Sequence, residues 1–169
     1  GWKNNDQNTV TCGPTFSVPV GCNQSAGVYT ISVCCLSFTK MNNYTITYQT
    51  GLLYINPKGS GAKKIRPYLD CVDTLINHPS GYPYVAKFSY QNLNATPVYI
   101  PIGSDNNISP SGISSGTPPI VFTPGNGTFE IYFSGQQITW TVKSYEGNTK
   151  STMTKSASST SATCNQNAQ

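Results

Sequence analysis

Acid–base catalysis by this chain would depend on a single histidine and six carboxylates. His78 stands in Asn77-His78-Pro79-Ser80-Gly81, a run of turn-forming residues that is typical of an exposed loop. A carboxylate pair would suit glycoside hydrolysis, but Glu130 lies on the outward face of its predicted strand and nothing fixes a second carboxylate near it. We therefore expect a protein that is not an enzyme. The six carboxylates are Asp6, Asp70, Asp73, Asp105, Glu130 and Glu146.

Metal binding has two candidates in the sequence. Ser104-Asp105-Asn106-Asn107 crowds oxygen ligands into one loop, but a high-affinity calcium site uses more carboxylates, so we interpret this segment as a turn. The cysteines contain no C-x-x-C pair, and only one histidine accompanies them, which argues against zinc. We expect no metal site and no cofactor.

The six cysteines form an even set, which favours disulfides and an oxidising compartment. Cys34 and Cys35 are adjacent, so on one strand they would point to opposite faces and have different partners. We expect a bridge between Cys71 and Cys164, with Cys12 and Cys22 pairing to Cys34 and Cys35. Six cysteines allow about fifteen pairings, so the sequence leaves the connectivity open.

Carbohydrate attachment is indicated by five N-x-[ST] sequons, most of them at predicted turns, where a glycan would stay in solvent. Asp73-Thr74-Leu75 also resembles a bacterial O-glycosylation acceptor. The candidate acceptors are Asn23, Asn43, Asn94, Asn107, Asn126 and Thr74.

Charge is scarce and scattered. Only 9% of residues are charged, against about 25% in ordinary soluble domains, and the net charge is +4. The densest basic cluster, Lys58 to Arg66, is short and lacks interleaved aromatics, so we expect a solvated loop and no nucleic-acid partner. No apolar run approaches the roughly 18 residues of a membrane span, and no signal peptide opens the chain. We expect no transmembrane segment, and we expect Gly1 to begin the mature form.

Period-two alternation of apolar residues dominates the sequence and predicts an all-β fold. In residues 84–142 four segments each offer one apolar face to a core, and the short link Ser134-Gly135-Gln136 predicts a hairpin between the last two. The inward sets are Tyr84, Ala86, Phe88 and Tyr90; Val98, Ile100 and Ile102; Phe129, Ile131 and Phe133; and Ile138, Trp140 and Val142.

The N-terminal part shows the same alternation. Tyr29, Ile31, Val33 and Cys35 share one face of a strong strand; Tyr44, Ile46 and Tyr48 share another, and Leu53 and Ile55 follow a turn. Before them, Phe16, Val18 and Val20 alternate, but Pro19 limits this run to an edge strand. The run and its polar leader form an N-terminal arm that could complete a neighbouring copy's sheet by strand addition, or pair within its own domain.

The Gly/Lys loop from Pro57 to Lys64 predicts a boundary. We expect an N-terminal β region at residues 1–65 and a β-sandwich at residues 66–169. The Ser/Thr-rich tail, residues 151–163, has the composition of a linker, but Cys164 near its end indicates that it is tied back onto the fold.

The C-terminal part contains a characteristic series of segments: YVAKFSYQN at residues 84–92, VYIPIGSDN at 98–106, FTPG at 122–125, FEIYF at 129–133 and ITWTV at 138–142, with a closing ASS run before Cys164. In their order and spacing these segments resemble a bacterial extracellular immunoglobulin-like repeat module. This resemblance, over about residues 66–164, implies an immunoglobulin-like β-sandwich, and it brings no catalytic residues. Such modules occur in secreted and cell-surface proteins.

Two functions fit this sequence. The first is a structural subunit of an extracellular filament or surface assembly, a homopolymer joined head to tail through Phe16, Val18 and Val20. The second is an adhesin-type module that binds glycans or proteins through outward aromatics. We expect Tyr54, Tyr99 and Tyr132 to face outward, and Tyr29, Tyr48, Tyr84 and Tyr90 to lie in the core. Both functions place the protein outside the cell or at the cell surface.

Overall fold

The computed structural model describes residues 5–21 and 24–164, without the side chain of Asp6. Within these residues the chain is all-β, as expected, and its only helical elements are two short 3-10 helices at Asp6–Thr9 and Met41–Asn43. Chain contacts divide it into two compact units, Gly1–Tyr54 and Ile55–Gln169. The strands of the first unit are β1 (Val10–Cys12), β2 (Thr15–Ser17), β3 (Gly27–Cys34), β4 (Ser37–Phe38) and β5 (Gly51–Ile55).

The second unit is built from antiparallel sheets. One has four strands in the order β10-β12-β7-β6, one has three in the order β14-β13-β9, and β11 pairs with β8. The strands are β6 (Arg66–Thr74), β7 (Tyr84–Asn92), β8 (Val98–Tyr99), β9 (Asn106–Ser109), β10 (Ser114–Ser115), β11 (Val121–Phe122), β12 (Gly125–Phe133), β13 (Ile138–Glu146) and β14 (Thr149–Ala157).

One hydrophobic core receives side chains from all three of these sheets. Trp140 and Phe88 are fully buried and pack edge to face at a centroid distance of 5.9 Å. Phe129 meets the same indole at 4.7 Å, also edge to face, the arrangement that aromatic quadrupoles favour. The predicted inward faces of β7, β12 and β13 are confirmed, whereas Ile102, predicted to point inward, is 49% exposed.

The predicted hairpin through Ser134-Gly135-Gln136 is wrong. β12 pairs with β7 and β10, and β13 pairs with β14 and β9, so this link carries the chain from one sheet to the other. The hairpin lies further on, where Glu146 pairs with Thr149 across Gly147-Asn148. Gly147 has a φ of +61°, a conformation that glycine adopts without strain. Most of the Ser/Thr-rich tail is therefore a nine-residue strand, β14.

The first unit contains two small sheets. β2, β3 and β5 form one in that order, and β1 pairs with β4. The strand expected at Tyr44, Ile46 and Tyr48 is absent from this described segment, and Tyr48, expected in the core, is 41% exposed. Its hydroxyl accepts a hydrogen bond from the Leu36 backbone N–H instead, which holds it away from a core.

The cysteines correct part of the expected connectivity. Cys71 and Cys164 are bridged as expected, across 93 residues of chain. Cys34 and Cys35 are bridged to each other rather than to Cys12 and Cys22. The expectation assumed an extended chain at both residues, but β3 ends at Cys34, and Cys35 has a φ of +71°. Cys12 has no disulfide partner among the described residues, and Cys22 lies outside them.

The residues that precede β6, from Ile55 onward, belong to the second unit. Ile65, in the last part of the predicted N-terminal region, is fully buried in the core of the second unit. Its backbone N–H donates to the Ser144 hydroxyl at 2.8 Å, and this serine lies on β13. Backbone hydrogen bonds of Gly147 with Gly59 and Ala62 also hold the segment that precedes β6 against the β13–β14 hairpin.

Candidate functional site

The residues considered for catalysis are engaged in structural contacts. His78 stacks on Tyr132 at a centroid distance of 4.7 Å, and its Nδ1 lies 2.9 Å from the Ser80 hydroxyl. The same Nδ1 accepts the Ser80 backbone N–H at 3.2 Å, so the pair belongs to one local turn. His78 is half-buried in this turn.

Five of the six carboxylates lie in the second unit, where they are held by different partners. Asp70 accepts a hydrogen bond from the Ser89 hydroxyl, and Glu130 accepts a long one from the Tyr132 hydroxyl. Asp73 forms an ion pair with Lys87 at 3.1 Å. A hydrogen bond from Lys87 to Asp73 and the negative charge of Asp73 raise the pKa of Lys87 above its ordinary value. The side chain of Asp6 lies outside the described part of the structure.

The segment Ser104-Asp105-Asn106-Asn107, considered above as a calcium site, is anchored to the core by Asn106. Asn106 is fully buried, donates to the carbonyls of Ile100 and Pro119, and accepts the indole N–H of Trp140. Asp105 is paired with Lys143 and Lys150. In the described residues no group of three or more His, Cys, Asp or Glu side chains is placed to hold a metal ion.

The glycosylation candidates fall into two classes. Asn43, Asn126 and Thr74 are exposed, and Asn107 is half-buried. Asn94 is only 8% exposed, and its Nδ2, the atom that a glycan would modify, donates to the Lys63 carbonyl and to Asn92. The structure argues against a glycan at Asn94, because it would replace a hydrogen that is used in one of these hydrogen bonds. Asn23 lies outside the described residues.

The N-terminal arm pairs within its own unit. Thr15, Phe16 and Ser17 of β2 lie opposite Cys34, Val33 and Ser32 of β3. The strand is shorter than expected, since Val18 and Val20 follow its end and are half-buried. Phe16 is 67% exposed, although cross-strand pairing places it on the same face as half-buried Val33.

Apolar side chains are exposed on both faces of the three-stranded sheet. A Cβ added at Gly51 would lie 3.5 Å from the Ile31 side chain, so Gly51 faces the same side as Ile31. Leu52, the next residue, points to the opposite side and is 57% exposed. Phe38 is the only buried hydrophobic residue among the described residues of this unit. Phe16 on edge strand β2 and Leu52 on edge strand β5 thus lie on opposite faces of this sheet, and we call these two side chains and the two edges together the assembly surface.

Comparison with known proteins adds no identity to this geometry. No family model, curated protein or solved structure matches the chain.

No helix in the described ranges is long and apolar enough to span a membrane. Tyr54, Tyr99 and Tyr132, expected to face outward, are each half-buried rather than exposed. Tyr132 is partly covered by the ring of His78. The most exposed aromatic residue of the described chain is thus Phe16, on the assembly surface.

Proposed function

We propose that the chain is a structural subunit of an extracellular filament or surface assembly, and that copies join through the assembly surface. The observation that carries this proposal is the exposure of Phe16 and Leu52 on a sheet of only three strands. A sheet this small needs a covered apolar face to be stable. Its edge strands, β2 and β5, offer backbone groups that can pair with another chain.

The second unit would act as the rigid body of such a subunit. We propose that it is an immunoglobulin-like sandwich, related to bacterial extracellular repeat modules. Antiparallel sheets around one aromatic core and the Cys71–Cys164 bridge support this assignment. Every buried side-chain nitrogen or oxygen among the described residues has a hydrogen-bond partner, as expected of a body that resists unfolding.

We also propose that the protein is exported, carries glycans and has no catalytic activity. The bridges support export, since disulfides persist in oxidising compartments. Exposed Asn43, Asn126 and Thr74 are the favoured attachment points. The turn contacts of His78 and the lysine pairs of Asp73, Asp105 and Glu146 support a structural role for these side chains.

The oligomeric state of the purified full chain tests the assembly surface. Phe16→Asp and Leu52→Asp place a charge where an apolar contact would form, and burial of such a side chain contributes about 1.5–3 kcal/mol. We expect the wild type to form concentration-dependent oligomers by light scattering and regular assemblies by negative-stain microscopy. We expect both variants to associate at least about tenfold more weakly.

Ile76→Asp is the matched control, because Ile76 is 88% exposed in a loop of the second unit. This variant should assemble like the wild type. A wild-type chain that stays monomeric at every concentration, or a loss of assembly in Ile76→Asp as large as in Phe16→Asp, would contradict the proposal. An adhesin-type module that binds glycans or proteins stays the second candidate, favoured by a lysine-lined groove in the second unit.

A further inference from the structure

The second unit has a groove of about 280 Å³ that the assembly surface does not use. It lies between the segment that precedes β6, the chain after β8, and the ends of β13 and β14 that meet at their hairpin. Its size is near the lower end of the range for small-molecule sites. Its charged lining residues are Lys63, Asp105, Lys143 and Lys150.

The groove has more positive than negative charge. Three lysines and one carboxylate line it, which leaves a net charge of +2. Lys143 lies 3.8 Å from Asp105, and Lys150 forms an ion pair with the other oxygen of the same carboxylate. One carboxylate cannot neutralise two ammonium groups, so an additional anion would be attracted here.

Hydrogen bonds fix the backbone at two of the groove lysines, Lys63 and Lys143. The backbone N–H of Lys63 donates to Asn94 Oδ1 at 2.8 Å, and its carbonyl accepts from Asn94 Nδ2 at 2.6 Å. Asn94 is buried and bonded in turn to Asn92. The backbone N–H of Lys143 donates to the Asp105 carbonyl at 2.7 Å. A ligand would therefore order side chains but little backbone, which lowers the entropic cost of binding.

A peptide strand cannot pair with the chain that borders the groove at Tyr99. The Asn56 side chain already occupies both backbone groups of this residue: its Nδ2 donates to the Tyr99 carbonyl, and its Oδ1 accepts the Tyr99 N–H, each at 2.7 Å. Strand addition needs these groups free. An acidic peptide would have to bind without main-chain pairing here.

Apolar and aromatic surface completes the groove. Pro57, Val98 and Ile100 contribute apolar atoms, and Tyr145 also lines the groove. Lys58 sits over this ring, with its Nζ 5.0 Å from the centroid. A site that combines apolar walls with a few placed cations suits a compact ligand with one acidic group. Nucleic acid would instead require a longer basic track with stacking platforms.

We propose that this groove binds a carboxylate-bearing saccharide, such as a uronic acid residue of an acidic polysaccharide. Lys63, Lys143 and Lys150 supply the positive charge that meets the sugar carboxylate. The apolar wall meets the C–H face of the ring. Lys64 is not part of the site, because Glu146 already holds it at 2.6 Å.

Calorimetric titration of the full chain with trigalacturonate tests the proposal. We expect saturable binding at low salt that weakens as added salt screens the charges. Lys63→Gln/Lys150→Gln should lower the affinity at least about tenfold, since hydrogen bonds to charged groups are the stronger kind. Lys155→Gln is the matched control, because Lys155 is an exposed lysine of the same strand as Lys150 and does not line the groove.

Two further ligands separate the alternatives. Neutral galactotriose should not bind measurably, and a short poly-glutamate peptide should bind at least about tenfold more weakly than trigalacturonate. Equal binding of the peptide, equal loss in the Lys155→Gln control, or no binding of trigalacturonate would each overturn the proposal. Unchanged thermal unfolding of the double variant would show that its lost affinity does not come from misfolding.

Discussion

Trp140 donates its indole N–H to the side-chain oxygen of Asn106 across 3.1 Å, and both residues are fully buried in the second unit. The amide nitrogen of Asn106 donates to the carbonyls of Ile100 and Pro119 at 3.0 and 2.8 Å. One asparagine thus satisfies one ring group and two backbone groups, and its bonds to Trp140 and Ile100 are buried. Buried polar groups left without partners are costly, so this side chain ties β13 to the loops beside it.

Replacing this asparagine should strongly destabilise the second unit. Asn106→Ala leaves the indole N–H and two carbonyls unpaired, at about 1–3 kcal/mol for each group, and we expect a total loss of roughly 3–5 kcal/mol. Denaturant unfolding followed by tryptophan fluorescence measures it. Asn107→Ala is the control, since this half-buried neighbour makes one hydrogen bond, to the Gly103 carbonyl, and should lose less than about 1 kcal/mol. Equal losses would contradict the role of Asn106.

The two disulfides should differ in their effect on stability. The Cys71–Cys164 bridge closes a loop across 93 residues, and Cys71→Ser/Cys164→Ser should cost about 4–5 kcal/mol through the entropy of the unfolded chain. The Cys34–Cys35 bridge joins adjacent residues and constrains almost no chain, so Cys34→Ser/Cys35→Ser should cost far less. Equilibrium unfolding of both double variants decides this, and a larger loss for the adjacent pair would refute the loop argument.

Asn94 should carry no glycan even when other sequons do. Its Nδ2 makes two hydrogen bonds, one buried and one part-buried, whereas Asn126 is exposed on β12. Glycopeptide mapping of material from a glycosylating host should find Asn94 unmodified. Asn94→Gln should destabilise the fold by about 1–3 kcal/mol, because the longer side chain cannot hold Lys63 in the same geometry, whereas Asn126→Gln should change stability little. A fully occupied Asn94 in folded protein would rule this out.

Glu146 should make stability depend on acidity. The hydrogen bond from Lys64, together with the charges of Lys64, Arg66 and Lys63, holds the pKa of Glu146 below its ordinary value. A lowered folded pKa contributes stability that is present above the unfolded pKa, about 4.3, and is lost as pH falls through the folded pKa. The free energy of unfolding should therefore fall more steeply below about pH 5 in the wild type than in Glu146→Gln. The difference between wild type and Glu146→Gln should be small and should shrink at about 1 M salt, because the Lys64–Glu146 pair is exposed. Equal dependence of the unfolding free energy on pH in the two proteins would contradict this prediction.

The core could be predicted because its strands alternate apolar and polar residues. The alternation alone predicts that Phe88, Ile131 and Trp140 point inward. β14 was missed as a strand because its Thr, Lys and Ser residues show no apolar alternation, although the Gly147-Asn148 pair is a hairpin signal. The Ser134-Gly135-Gln136 link is short enough for a hairpin, but its length does not specify which sheet the next strand joins. The hairpin prediction was therefore wrong.

The asparagines that hold distant backbone segments by hydrogen bonds could not be identified from the sequence. Asn56, Asn94 and Asn106 have the residue type of turns or sequons, yet each binds backbone groups far along the chain. Nothing local distinguishes such an asparagine from an exposed one, because its partners are fixed only by the tertiary fold. The predicted pairing of the adjacent cysteines was wrong for a related reason: it requires an extended chain at both residues, but the strand ends at Cys34 and Cys35 has a positive φ.

Gly127 lies beneath the ring of Tyr90 on the neighbouring strand. The two residues pair across β12 and β7, and a Cβ at Gly127 would lie 2.6 Å from the Tyr90 hydroxyl oxygen and closer still to the ring. The ring is nearly buried, packs edge to face on Phe122, and its hydroxyl accepts the Thr123 backbone N–H at 3.1 Å. The ring therefore cannot move aside without losing both contacts.

Gly127→Ala should destabilise the second unit by about 1–3 kcal/mol through overpacking. A loss of stability in Gly127→Ala would be informative, because alanine in a strand is otherwise favoured over glycine by roughly 0.5–1 kcal/mol. A double-mutant cycle measured by denaturant unfolding isolates the clash: in a Tyr90→Ala background the ring is gone, and Gly127→Ala should become neutral or stabilising. If the alanine costs as much without the ring as with it, the Tyr90 contact is not the reason for glycine at this position.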